Sequence, residues 1–319
     1  MATIARYVLH GILLPGATWV TELADVTAAA NVELLTGYAG GAVTPSFRGA
    51  QGARPDVTFS TPQIKTILDQ CTDGDGVSMA DYNEANVDLY YRLATAFGSR
   101  GAITDAEHLV VRARRSMMIW TQLEAKQGQP ASIQCRIIPT FDGTNIPIVG
   151  IGSQTIPANL NVAEQFTLGP VELQGSGAWI DGVQGWTFAQ GLEPDVDASD
   201  GDIYASHAGL GRGDPILTID TPDVGLWEEY GVTGVALTAL AAHLRKRNVD
   251  LAANHADATE CHIKLSATDD PCGFVHVVDS KGGVADKATL GLRCALRRSV
   301  VGTTHPLTVA TASAIALTE

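Results

Sequence analysis

A chain of 319 residues with 45% hydrophobic and 18% charged residues holds enough apolar material for packed cores, which excludes wholesale disorder. A formal charge of −14 excludes a surface built to neutralise phosphates, because nucleic-acid binders gather Lys and Arg along one face. The five cysteines (Cys71, Cys135, Cys261, Cys272, Cys294) are odd in number and widely spread, unlike the dense framework of a small secreted domain, and read as reduced thiols.

In chain order, the first apolar run is "YVLHGILLPGA". It has the look of a secretion signal, but His10, Gly11 and Pro15 interrupt it and only Arg6 precedes it as a charge. No other run is long enough to span a membrane, so synthesis in the cytoplasm without membrane insertion is expected. Residues 36–55, "TGYAGGAVTPSFRGAQGARP", are polar and Gly-rich and predict a long loop with a contact role. The strand "DVTFST" follows. A helix is then predicted with Ser78 as its cap, Val87, Tyr90, Tyr91, Ala94 and Phe97 on one flank and Gly98 at its end.

Further on, "SIQCRII", "EQFTLGPVEL", "CHIKLSA" and "GFVHVVD" alternate apolar with polar residues, the pattern of half-buried antiparallel strands. Residues 150–161, "GIGSQTIPANLN", read as a linker or a crossing strand. A second polar loop is predicted at 196–215. After its strand comes a second predicted helix, capped by Thr233, with Val235, Leu240, Ala241 and Leu244 as its stripe and Arg245, Lys246 and Arg247 at its negative end.

Laying the chain on itself at an offset of 160 pairs Pro55 with Pro215, Thr58 with Thr218, Thr61 with Thr221 and Pro62 with Pro222. The same offset pairs Trp19 with Trp179 and Gly41 with Gly201, and keeps apolar character at Val20/Ile180, Phe59/Ile219 and Ile64/Val224. "DGTNIPI" (142–148) meets "VGTTHPL" (301–307) one residue out of that register. Between these, "HLVVRA" resembles "HIKLSA" and "ASIQCRI" resembles "ATLGLRC", so loop lengths differ mid-unit. A period of domain size predicts tandem duplication, with domains at residues 1–158 and 159–319. The competing reading is two unrelated β domains that share turn chemistry by chance. The expected class is mainly β with one helix per unit: two tandem β-sandwich or barrel domains.

Catalytic and metal patterns are weak. Cys261, His262, Cys272 and His276 lack paired ligand spacing, and the strand alternation already accounts for them. The acidic stretch Asp195, Asp197, Asp200 and Asp202 lacks the loop pattern of a calcium hand and reads as a solvated turn. Arg212, Gly213 and Asp214 spell an adhesion tripeptide too short to carry weight. No nucleophile elbow, zinc-protease helix or phosphate loop is present, and no cofactor is expected.

A duplicated β unit with a flanking helix, carried by "PDVTFSTPQIKTIL" and "PILTIDTPDVGLW" with the loops before them, resembles the tail tube protein of long-tailed, siphovirus-type bacteriophages. That resemblance implies non-contractile tail tubes of stacked rings, whose inner strands line a lumen for genome ejection and whose long loops join one ring to the next. The two-domain members that this chain is similar to build a pseudo-hexameric ring from three copies, with tape-measure, tail-tip and terminator proteins as further partners and viral DNA passing without specific binding.

The resemblance also implies a site in the virion tail, no enzyme activity, and two sets of contact residues. Residues 1–159 carry 11 basic and 14 acidic side chains, whereas 160–319 carry 10 and 21, so the second copy holds most of the negative charge. Glu164, Glu172 and Asp181 are the lumen-lining candidates, where repulsion of phosphates keeps DNA mobile. Arg48, Arg54, Asp200, Asp202 and Arg212 are the inter-ring candidates. The alternative functions are a capsid decoration or tail-terminator subunit, or a two-domain β-rich hydrolase, whose paired carboxylates need no local motif.

Overall fold

Antiparallel strands take up most of the chain. The computed structural model describes residues 6–40, 43–73, 76–77, 80–94, 100–158, 164–175, 179–199, 201–248, 253–268, 271–282, 287–297 and 307–316. The first half runs β1 (Arg6–Leu14), β2 (Thr18–Val20), β3 (Ala24–Ala29), β4 (Val32–Gly37), β5 (Phe47–Ala53), β6 (Asp56–Thr61), α1 (Ile64–Gln70), β7 (Thr72–Asp73), β8 (Gly76–Val77), β9 (Ala80–Ala94), β10 (His108–Lys126), β11 (Ser132–Pro139) and β12 (Ile148–Gln154). The second runs β13 (Phe166–Leu173), β14 (Gly185–Ala189), β15 (Pro194–Asp197), β16 (His207–Leu210), β17 (Ile216–Thr221), α2 (Leu226–Tyr230), β18 (Val235–Leu237), β19 (Leu240–Lys246), β20 (His262–Ala267), β21 (Gly273–Lys281), β22 (Thr289–Leu296) and β23 (Thr308–Ser313). The fold is mainly β.

The long strand β10 organises the first half. Its N-terminal part lies between β9 and β12, with β1 and β2 beyond β9. Its C-terminal part continues into β11, β6 and β3. In the second half the corresponding strand is broken into β20 and β21, so β13, β19, β20 and β23 form a sheet of their own while β18, β21, β22, β17 and β14 join the large sheet. Inward-facing residues of both sets, including Leu14, Phe59, Trp120, Phe166, Ile219 and Leu265, meet in one core cluster.

Strand registers coincide between the halves. β3 and β6 pair Thr27 with Thr58, Ala28 with Val57 and Ala29 with Asp56; β14 and β17 pair Thr187 with Thr218, Phe188 with Leu217 and Ala189 with Ile216, each 160 residues later. The hairpins agree as well, with Leu34 opposite Ala50 and Gly37 opposite Phe47 in one, and Pro194 opposite Leu210 and Asp197 opposite His207 in the other. Cys135 and Arg136 face Phe59 and Thr58, and Leu292 and Arg293 face Ile219 and Thr218. A register break follows Trp120 against β11 and Val277 against β22.

The repeated sequence motifs have local physical causes. Thr61 Oγ1 donates to the Glu22 carbonyl at 2.5 Å and accepts the Gln63 N–H at 3.1 Å, while Thr221 Oγ1 donates to the Asp181 carbonyl at 2.7 Å and accepts the Asp223 N–H at 3.1 Å. Each hydroxyl closes the turn that leads into a short helix. His108 Nδ1 accepts the Leu93 N–H at 3.2 Å and its Nε2 lies 2.8 Å from the Ala102 carbonyl; His262 repeats this with Lys246 at 3.1 Å and Ala256 at 3.0 Å. Accepting at Nδ1 fixes the Nε2–H tautomer in both.

Two expectations are corrected here. The predicted helices are strands: residues 80–94 form β9, and Val235, Leu240, Ala241 and Leu244 lie in β18 and β19. Val87 and Leu89 face the main core whereas Tyr90 packs with Trp19, Val110 and Ile156, so β9 is covered on both faces and loses the period of two. Residues 240–244 are buried at every position for the same reason. Ser78, Phe97 and Gly98 lie outside the described residues, and so does the "VGTTH" stretch. The true helices, α1 and α2, begin within the quoted motifs and run past their ends, with Ile64, Ile67 and Leu68 giving α1 its buried side. The predicted loops at 36–55 and 196–215 carry the hairpins β4–β5 and β15–β16. The expected boundary near 158 falls after β12, just before residues 159–163, which are outside the described ones.

His243, in β19, is buried among apolar neighbours and stacks on Trp179 with ring centroids 5.7 Å apart. Burial, with Lys264, His262 and Arg245 nearby, lowers its pKa to about 4, against which a hydrogen bond to the Pro170 backbone acts weakly. Nδ1 is buried without a partner. The unfolded chain therefore takes up a proton near pH 6.5 that the folded chain refuses until about pH 4, and stability falls as pH drops through that window. Urea unfolding should show wild-type losing about 2 kcal/mol between pH 7 and pH 5 from this group. His243→Gln should remove that part of the slope; an unchanged slope would contradict the assignment.

Candidate assembly interface

The residues with the most distinctive surroundings lie where the two halves meet. On one edge, residues 122–124 of β10 pair with β11, Gln122 facing Gln134 and Glu124 facing Ser132. On the opposite edge, residues 122–126 pair with β14, Gln122 facing Ala189, Leu123 facing Phe188, Glu124 facing Thr187, Ala125 facing Trp186 and Lys126 facing Gly185. The strand of one half thus continues the sheet of the other. Trp186 and Phe188 are buried at this joint, Phe188 lying 5.7 Å from Trp120 between ring centroids. The Gln190 N–H extends the ladder by donating to the Thr121 carbonyl at 3.0 Å.

A second contact reinforces the first. The hairpin β15–β16 lays Leu192, Val196, Ala208 and Leu210 over Ala80, Met117, Ile119 and Ile138 of the first half. Its connecting loop reaches further: the Ala53 N–H donates to the Ile203 carbonyl at 2.8 Å, the Phe141 N–H donates to the Ala205 carbonyl at 2.7 Å, and the Phe141 and Tyr204 rings lie 5.9 Å apart.

The corresponding surfaces at the two ends of this arrangement are open. Among the described residues β3 pairs only with β6, and residues 279–281 of β21 pair only with β22. The hairpin β4–β5, in the register of β15–β16, covers nothing comparable and exposes Leu34 (67%), Val43 (95%) and Phe47 (55%) along with Val32 and Leu35. Phe274 (42%) and Val278 (56%) are exposed on β21. Unpaired edges and large exposed apolar side chains are both features of interaction surfaces.

Of the lumen-lining candidates, Glu172 and Asp181 lie at one end of β13, where Glu172 bridges Trp179 and the Asp181 carbonyl accepts the Thr221 hydroxyl. Glu164 lies at the other end and receives Lys246 Nζ at 2.6 Å, so the structure does not gather the three carboxylates. Arg48 is exposed on β5 and Arg54 is exposed just after it, with Asn31 bonded to its backbone. Asp202 and Arg212 are exposed beyond β15 and β16 respectively, and Asp200 lies outside the described residues. Arg212 offers its carbonyl to the Glu193 N–H at 2.8 Å.

Of the other chemical candidates, His262 and Cys272 are locally engaged. Both ring nitrogens of His262 meet backbone, and Cys272 Sγ donates to the Leu237 carbonyl at 3.2 Å. Among the described residues no three His, Cys, Asp or Glu side chains gather as metal ligands. The cysteines are free, and burial pushes the Cys71 thiol up to about 12 and holds Cys135 and Cys294 above their ordinary value. Asp142, in the turn "DGTN", accepts the Asn145 and Thr144 N–H groups, which lower its pKa to about 2.

Sequence reasoning missed Trp186 and Phe188. "GWTFA" alternates as a short strand does, but nothing local says which edge it joins. No family model matches the chain, and no curated protein matches it.

Phe188→Ala deletes the ring packed on Trp120 and should lower unfolding stability by about 3–5 kcal/mol. Denaturant unfolding read by tryptophan fluorescence checks this, and a loss within about 0.5 kcal/mol, the range of ordinary surface changes, would mean the joint is not a packed core.

Proposed function

We propose that this chain is a tandemly duplicated structural subunit that assembles edge to edge into rings, and that the rings stack as the tail tube of a long-tailed bacteriophage. The observation that carries the reading is the continuous sheet from β11 through β10 to β14, which joins two halves of matching register side by side. A unit that adds a like unit at its strand edge, and still has open edges at both ends, is suited to a closed ring in which no edge stays free. Three copies then supply six units, and the duplication lets the two contacts in each repeat diverge.

The acidic balance supports a conduit rather than a DNA-binding wall. With 21 acidic against 10 basic residues in 160–319, phosphates passing through are repelled and DNA stays mobile. Glu172 and Asp181 remain the lumen candidates. Glu164 belongs to an ion pair with Lys246 and contributes little net field. The hairpins β4–β5 and β15–β16 carry the contacts between neighbours, Arg48, Arg54, Asp202 and Arg212 are the candidates for contacts between stacked rings, and tape-measure and tail-tip or terminator proteins are the further partners.

Negative-stain electron microscopy of the chain expressed alone tests the reading. Hollow rings or tubes with three chains per ring are the expected result. Compact monomers that persist at high concentration would overturn it, and discrete trimers that never stack would point to a decoration subunit instead.

A further inference from the structure

The joint inside the chain has a counterpart at each end, and the matched registers say how the two counterparts fit. Residues of β10 and β21 correspond through their common partner strands: Trp120 faces Cys135 as Val277 faces Leu292, Gln122 faces Gln134 as Asp279 faces Gly291, and Leu123 faces Ile133 as Ser280 faces Leu290. The edge of β10 that receives β14 therefore corresponds to the open edge of β21 at 279–281. The strand it receives, β14, corresponds to β3, whose outer edge is also open.

We propose that a second copy of this chain docks its β3 on the open edge of β21, reproducing the internal joint with Asp279 opposite Ala29, Ser280 opposite Ala28 and Lys281 opposite Thr27. The proposal rests on the ring reading above and specifies its contact. The pairing is antiparallel, like every sheet pairing in the large sheet. As Gln190 donates to the Thr121 carbonyl within the chain, Ala30 of the arriving copy donates to the carbonyl of Val278.

The apolar surfaces give a second, independent reason. Leu192 and Val196, on one face of the β15–β16 hairpin, cover Met117 and Ile119. The positions of Leu192 and Val196 are taken on β4–β5 by Val32 and Thr36, with Val32 and the neighbouring Leu34 both exposed, and the corresponding surface on β21 presents Phe274 and His276, whose rings lie 5.8 Å apart. An exposed apolar hairpin and an exposed Phe274 beside a half-buried His276 thus occupy the two positions that the internal contact brings together. Because the two surfaces differ, the contact is head-to-tail, and only the rotation it imposes decides between a closed ring and an open filament.

Directly opposed residues in an antiparallel pair hold their Cβ atoms about 4.5–5.5 Å apart, within reach of a short thiol crosslinker. The test mixes one full-length protein carrying Ala28→Cys with another carrying Ser280→Cys, both positions being exposed in the single chain. A covalent dimer should form in the mixture and in neither protein alone. The double variant should give a ladder of linked chains that ends at the ring, whereas Ala28→Cys with Gly282→Cys, two residues out of register, should not. Rings seen by microscopy but not linked at 28–280 would overturn this contact while leaving the ring reading intact. Failure to associate at any concentration would overturn both.

Discussion

Every strand has two edges of backbone donors and acceptors, and an edge left unpaired is either covered or used. Residues 122–126 of β10 show the consequence. They are held by β11 on one side and by β14 on the other, so the first half of the chain ends its sheet only by starting the sheet of the second. The burial of Trp186 and Phe188, the seating of β15–β16 over Met117 and Ile119, and the reach of Tyr204 to Phe141 all follow from that one lateral pairing.

Among the described residues the same constraint is unsatisfied at the outer strands. β3 reads "ADVTAA" with Asp25 as its one charge and a register break between Ala24 and Thr27, and the end of β21 follows a register break and carries the Asp279–Lys281 ion pair, so each edge bears a limited share of the charges and bulges that blunt an edge. Apolar side chains beside the edges, Leu34 and Val43 on one end and Phe274 on the other, extend the surface. Folding and the proposed assembly would then draw on one kind of interaction: backbone pairing that sets register, with apolar burial supplying most of the stabilisation. Charge plays a different part, since an acidic surface resists phosphates over a range set by salt and leaves local packing untouched.

Much of the matched spacing between the two halves was legible because its residues act locally. Thr61 and Thr221 close turns, His108 and His262 tie loops to neighbouring strands, and such residues keep their spacing whatever the rest of the chain does. The alternating strands β11, β13, β20 and β21 were legible for the same reason. What failed depends on distant neighbours. β9 and β19 are covered on both faces, so their apolar residues follow no period of two and imitate a helix. The hairpins were hidden by Gly-rich, polar composition, and β4–β5 buries little within its own chain. Of the lumen-lining candidates, Glu164 pairs with Lys246, a partner that its local sequence does not announce. The joint itself left no local mark: "GWTFA" announces a strand but not the edge that receives it.

Hydrogen–deuterium exchange on the chain before and after assembly tests the role of the edges most directly. The outward-facing amides within 24–30 and 279–281, those not directed at β6 or β22, should exchange freely in the single chain and slow on assembly, while 122–126 and 185–189 should be protected in both states. An assembled sample in which 24–30 and 279–281 still exchange at single-chain rates would show that the chain associates by some surface other than its open strands.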